Sequence, residues 1–274
     1  MLVFTDRVLG EISTGIAAHD PERGGALFGI RDSNVICHLA CDAGANRSRV
    51  HYLPSVSLQQ QVLAIERQTN LVFKGIIHSH PGQLSTPSGQ DLIAFSKSLA
   101  DNPHLPSFIA PIVTLGADRP LEPHELNLSI GQRMSIYVAH RGVQKTWFRS
   151  TDTPRVEPCA ATVMPIEGHM SLLCSTMGFT SEGAQIERGY FCIGHVSYIS
   201  MSARFDAVEV IALFPPIYPF AQPLVMISSA GRDPFFVELP FGAEFNLSLD
   251  EPSWIQKLAD IVRSTEGYDG KRSN

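Results

Sequence analysis

The sequence predicts an α+β chain of two domains. Three observations carry this. Short apolar runs of strand length alternate with helix-length amphipathic stretches. The 274 residues suit two domains of ordinary size. A Pro-punctuated stretch at 151–167, with Pro154, Pro158 and Pro165, reads as a linker. The expected division is 1–150, linker 151–167, and 168–274.

In the first half, a helix is expected near 5–18, a strand after Glu22 and a second strand near 35–40. A helix near 57–69 follows. Leu71-Val72-Phe73-Lys74-Gly75-Ile76-Ile77 reads as a mostly buried strand, and 92–100 as a helix. Further strands are expected near 108–115 and 133–149. In the second half, a helix is expected near Met170–Met177. Gly189–Val196 reads as one strand, Asp206–Leu213 as another, Leu224–Ile227 as a third, and Trp254–Arg263 as a helix.

Composition bounds the chemistry. The formal net charge is −6 and no basic run stands out, which disfavours nucleic-acid binding. No run of 18 apolar residues appears, so no membrane span is expected. The first residues do not read as a signal peptide. The five cysteines form no C-x-x-C pair, which argues against a disulfide framework and fits a reducing cytoplasm. Cys37 and Cys41, on or near a strand, read as buried thiols.

The chemically loaded segment is H-S-H-P-G-Q-L-S-T-P-S-G-Q-D, residues 78–91. Side chains two apart on a strand share a face, so His78 and His80 point the same way and Ser79 opposite. Pro81 and Gly82 end the strand. Ser88 stands just before the next helix and Asp91 in its first turn. Two imidazoles and a carboxylate are good zinc ligands, and three protein ligands leave a fourth position for water, as in catalytic zinc sites. Plainer readings stand beside this one. Ser88 and Asp91 are close to a capping box, and two His on one face can be core residues. Upstream, Glu22 precedes Gly24-Gly25 and a short apolar run, a pattern that also suits a charged turn.

Taken together these residues resemble the JAMM (MPN-plus, JAB) zinc metallo-isopeptidases. That family carries a Glu in an E-x-x-G-x-L-x-G-like segment, then H-[ST]-H-P, with seven residues, that Pro the first of them, between the second His and a Ser, and then two residues and an Asp. Glu22, His78-Ser79-His80-Pro81, Ser88 and Asp91 match throughout. The resemblance spans about residues 1–150 and implies a cytidine-deaminase-like β-sheet domain flanked by helices. It implies one zinc ion per chain, held by His78, His80 and Asp91. Glu22 would act as general base and then general acid, and Ser88 would donate its hydroxyl to the oxyanion. Gln83 and Leu84, between the ligands, are candidates for lining a channel that accepts a glycine tail.

The second half resembles the core of ubiquitin-conjugating enzymes through Phe214, Pro215, Tyr218, Pro219, Phe220 and Pro223, which match an F-P-x-x-Y-P-F-x-x-P run. The family's Cys, eight residues before a Trp, falls here on Asn246, eight before Trp254. An amide cannot carry a thioester, so this domain is expected to be an inactive variant of the UEV or RWD kind. The resemblances imply a hydrolase that cuts after the C-terminal glycine of a ubiquitin-like protein, by deconjugation or precursor processing, in a bacterial conjugation system. The expected partners are a ubiquitin-like protein or its conjugates, with activating or conjugating enzymes of the same pathway. Three alternatives remain: a peptidase trimming a sulfur-carrier protein, a non-catalytic binding scaffold, and a conjugating role for the second domain through one of the five cysteines.

Overall fold

The computed structural model describes residues 1–16, 22–44, 46–47, 52–116, 119–128, 131–142, 144–146, 149–151, 154–218, 221–239 and 253–265. Its contacts divide the chain into Met1–Val163 and Met164–Asn274.

The first unit runs β1 (Leu2–Thr5), α1 (Asp6–Gly15), β2 (Gly24–Ile30), β3 (Val35–Cys41), β4 (Asn46–Arg47), β5 (Tyr52–Leu53), α2 (Val56–Gln68), β6 (Leu71–Ser79) and α3 (Gly89–Asp101). It continues through β7 (Ser107–Ile109), β8 (Ile112–Leu115), β9 (Glu125–Asn127), β10 (Gln132–Ser135), β11 (Tyr137–His140), β12 (Gln144–Thr146), β13 (Arg149–Thr151), β14 (Arg155–Pro158) and β15 (Ala161–Met164). The main sheet has the order β14-β11-β7-β6-β2-β3-β1-β15, with β8, β9 and β10 branching from β6. Both central strands are rich in apolar residues. β2 is buried at every position, as a strand covered on both faces must be. Helix α1 starts where the Thr5 hydroxyl accepts from Val8 N and lays Val8, Leu9 and Ile12 onto the sheet. There they join Leu27, Ile36, Ile77 and Val113 in one apolar core.

β6 forks the sheet. It pairs parallel with β7 at Gly75↔Ile109 and with β8 at His78↔Ile112, so its C-terminal end is gripped on one side by β8 and on the other by β2. Cys37 is buried as expected, but Cys41, the last residue of β3, is exposed. The stretch expected as a linker contains β14 and β15 instead. Arg155-Val156-Glu157 alternates as a strand does, and Pro158 is tolerated because β14 is the sheet's edge.

The second unit opens on α4 (Ile166–Met177), continues as a five-stranded antiparallel sheet in sequential order, and closes on α5 (Ser253–Ser264). Its strands are β16 (Glu187–Ile193), β17 (Val196–Phe205), β18 (Val208–Phe214), β19 (Leu224–Ser229) and β20 (Phe235–Val237). β18 is buried at alternate residues, the signature of one face on a core. Helix α4 buries Ile166, Met170, Leu173 and Met177 along one stripe and ends at Gly178, whose φ of 85° is the left-handed cap that glycine favours. It begins four residues before the expected start because Pro165 and Glu167 supply a helix beginning. Gly189–Val196 is not one strand but two, joined at Gly194-His195 in a tight hairpin with Ile193 opposite Val196. Phe214 and Tyr218 sit in an aromatic cluster with His169 and Trp254, and the Tyr218 hydroxyl bonds His169 Nδ1. Pro219, Phe220 and Asn246 lie outside the described residues.

Candidate metal centre

The site is built at the C-terminal end of β6. Its backbone is pinned from both sides: Ser79 N donates to Arg23 O at 2.8 Å, and His80 N donates to Val113 O at 2.8 Å. The Ser79 hydroxyl, on the opposite face from the histidines, accepts from Arg23 N at 2.9 Å. The period of the strand therefore does what the sequence predicts. His78 and His80 are both buried, and their Nε2 atoms lie 3.0 Å apart.

Each remaining ligand atom is set by a separate device. Pro81 turns the chain, and His80 Nδ1 reaches the Leu84 carbonyl at 2.8 Å. A carbonyl only accepts, so Nδ1 carries the proton, and the neutral ring keeps its lone pair on Nε2. Helix α3 begins at Ser88 with a complete capping box. Ser88 N donates to Asp91 Oδ2 at 2.6 Å, and Asp91 N donates to Ser88 Oγ at 3.3 Å. The capping reading and the ligand reading thus describe the same carboxylate. Asp91 Oδ1 lies 3.1 Å from His78 Nε2, and Oδ2 lies 3.4 Å from His80 Nε2.

These separations suit a metal. Zinc–nitrogen bonds of about 2.0–2.1 Å in a tetrahedron place ligand atoms about 3.3 Å apart. Among the described residues, this is the group of His, Cys, Asp and Glu whose ligand atoms converge, all within 4.8 Å of one another. Burial works against the charge on Asp91, but its contacts with His78 and His80 outweigh it and hold the carboxyl well below the usual carboxylate range. For His80, burial disfavours the charged ring. The Asp91 contact, the Leu84 carbonyl and the charges of Asp91 and Glu22 overcome that and raise its pKa. A cation bound between the three groups would satisfy the same field without protonating a ring.

Glu22 is buried and precedes Arg23, which is tied to Ser79. Gln83 and Leu84 are exposed, and Leu84 serves the site through its carbonyl. Neither lines the cavity of about 720 Å³ that opens beside His78 and Asp91; Leu58, Val62, Phe73, Ile93 and Phe95, from α2, β6 and α3, form its apolar walls.

Sequence reasoning missed Asp42, Tyr52 and Ser55. The Asp42 carboxylate, buried at the end of β3, accepts from Gly44 N at 3.1 Å, Tyr52 Oη at 3.0 Å, Ser55 N at 2.8 Å and Ser55 Oγ at 2.6 Å. Asp42-Ala43-Gly44 announces a turn in the sequence. Nothing local announces what else the carboxylate collects.

A mixed sheet flanked by helices, with two histidines and an aspartate converging beside the end of a central strand, makes an α/β domain with a candidate metal site. Residues 8–126 match the family model described as prokaryotic homologs of the JAB domain. Two solved structures are similar. One is the solution structure of a protein from Desulfitobacterium hafniense, 20% identical, covering 60% of this chain and 94% of that one with a TM-score of 0.39. The other is the crystal structure of a JAB1/MPN domain protein from Archaeoglobus fulgidus, 21% identical, covering 40% and 76% with a TM-score of 0.25. No curated protein matches the chain.

Proposed function

We propose that the first unit is a zinc-dependent hydrolase cutting the peptide or isopeptide bond after the C-terminal glycine of a ubiquitin-like modifier. The observation that carries the metal chemistry is the convergence of His78 Nε2, His80 Nε2 and Asp91, with the His80 lone pair fixed by Leu84. Zinc held there would lower the pKa of a bound water and polarise the scissile carbonyl. The choice of substrate class is supported by the match of residues 8–126 to the JAB family model, a family often metallo-isopeptidase.

The chain's own residues do the rest. The Glu22 carboxylate takes a proton from the attacking water. The same oxygen then gives it to the amine as the C–N bond breaks, general base followed by general acid. The Ser88 hydroxyl donates to the oxyanion formed at the carbonyl. The second unit is proposed to be a ubiquitin-conjugating-enzyme-like domain that presents the modifier or a conjugation partner. Support comes from its helix–meander–helix order and from Tyr218, the fixed point of the Pro-rich run.

The test is zinc content and turnover on the full chain. Wild type is expected to hold one zinc and cleave ubiquitin-like fusions. His80→Ala loses the metal. Glu22→Ala keeps the metal and loses turnover. Zinc loss in Glu22→Ala, or undiminished cleavage, would remove Glu22 from this role. Cleavage of linear extensions but never of lysine-linked conjugates would redirect the substrate to precursor or sulfur-carrier processing.

A further inference from the structure

The two histidines are held in different ways. His80 is oriented through a hydrogen bond at its other ring nitrogen, the usual device for a metal-ligating histidine. His78 lies beside an aromatic plate: the Tyr52 ring runs parallel to it, planes within 10° and centroids 6.3 Å apart. His80 meets the His78 ring edge-on at 65°.

The plate is itself built. The Tyr52 hydroxyl donates to the buried Asp42 carboxylate at 3.0 Å. The Tyr52 ring lies against Gly24, the cross-strand partner of His78 in β2. A Cβ on Gly24 would stand 2.4 Å from the ring carbons, so the absence of a side chain there is what lets the ring approach. Asp42 also holds Ser55, whose hydroxyl accepts from Leu58 N at the start of α2. One carboxylate thus fixes the end of β3, the ring over β2 and the first turn of α2 together. A parallel plate restricts rotation of the imidazole about its terminal side-chain torsion, which is otherwise broad.

We propose that Tyr52, anchored by Asp42, is a positioning residue that holds the His78 ring in the plane aiming Nε2 at His80 and Asp91. The inference rests on the metal-site reading above. Its test is metal binding by the full chain, read without turnover: zinc affinity by competition with a chromophoric chelator, and the visible absorption band of the cobalt-loaded protein, which reports ligand geometry. Tyr52→Leu, with far-ultraviolet dichroism unchanged, is expected to weaken zinc binding by about 10–100-fold and to shift the cobalt band. Tyr52→Phe keeps the ring and frees its tip, so it restores most of the affinity but still moves the band. Wild-type affinity and an unmoved band in Tyr52→Leu overturn the proposal and leave the metal site standing. Should the Leu variant not fold, the band of Tyr52→Phe decides, and an unmoved band there overturns the proposal. A wild-type chain that binds neither zinc nor cobalt overturns the metal-site reading and this inference with it.

Discussion

Ser88→Ala separates the two roles that one hydroxyl carries. As an N-cap, Ser88 Oγ accepts from Asp91 N at 3.3 Å, beyond the usual range for such a bond. Losing a Ser cap costs typically about 1 kcal/mol, and this long bond belongs at or below that value. The reciprocal bond, Ser88 N to Asp91 Oδ2 at 2.6 Å, uses the backbone and survives the substitution. The thermal midpoint should therefore fall by no more than about 2–4 °C. The cap uses a lone pair of Oγ, and the O–H proton, which the Asp91 carboxylate accepts in the resting site, can be given to another acceptor. If that proton is donated to the oxyanion, its loss removes about 100–1,000-fold in kcat, or about 2.7–4 kcal/mol of transition-state stabilisation. Calorimetry and single-turnover cleavage of a ubiquitin-like fusion, both on zinc-loaded protein, measure the two effects separately. A small fall in midpoint with a large fall in rate supports both roles. A rate equal to wild type beside the lowered midpoint would refute the catalytic one and leave Ser88 as a cap alone.

Three further outcomes are expected. Gly75→Ala would place a Cβ 1.9 Å from the Ile109 carbonyl oxygen, a backbone atom that cannot swing away. β6 must then part from β7, at a cost of about 3 kcal/mol or more, read as a lowered urea midpoint. Gly24→Ala meets a movable ring instead, so it should cost about 1–3 kcal/mol in stability while lowering zinc affinity as Tyr52 is displaced. Glu125 is buried beside Arg119 and Arg133, and the hydrogen bond from Arg119 holds its carboxyl down at about 2. A folded pKa below the unfolded value contributes stability above the unfolded pKa of 4.5 that is lost as pH falls toward 2. With Arg119 partly exposed, the contribution is on the order of 1–2 kcal/mol. Arg119→Ala should flatten the acid limb of urea midpoints between pH 5 and pH 2.5, and an unaltered limb would count against this pairing.

The donor set could be read from the sequence because it is local. His78, His80, Ser88 and Asp91 fall within 14 residues, and the period of a strand and the start of a helix fix their directions without reference to the rest of the chain. Glu22 is different: only the family pattern singles it out, since its neighbourhood arises from pairing Gly24 with His78 across 54 residues. The hairpin at Gly194-His195 escaped because its flanks, Cys192-Ile193 and Val196, continue an apolar run with a single glycine as punctuation. The edge strand at Arg155–Pro158 escaped because prolines that read as a linker are also what an edge strand permits. Beyond the turn that Asp42-Ala43-Gly44 announces, Tyr52 and Asp42 had no local signal, since one carboxylate joins three elements that are brought together only when the sheet forms. Ligand identity is therefore written in short-range spacing, while ligand orientation is divided. His80 takes its orientation from Leu84, four residues away. On the inference above, His78 takes it from Tyr52 and, through it, from Asp42, 36 residues away and just past the end of β3. A substitution that leaves the H-S-H-P segment and Asp91 intact can thus still misalign the centre, and it would do so through His78 rather than through His80.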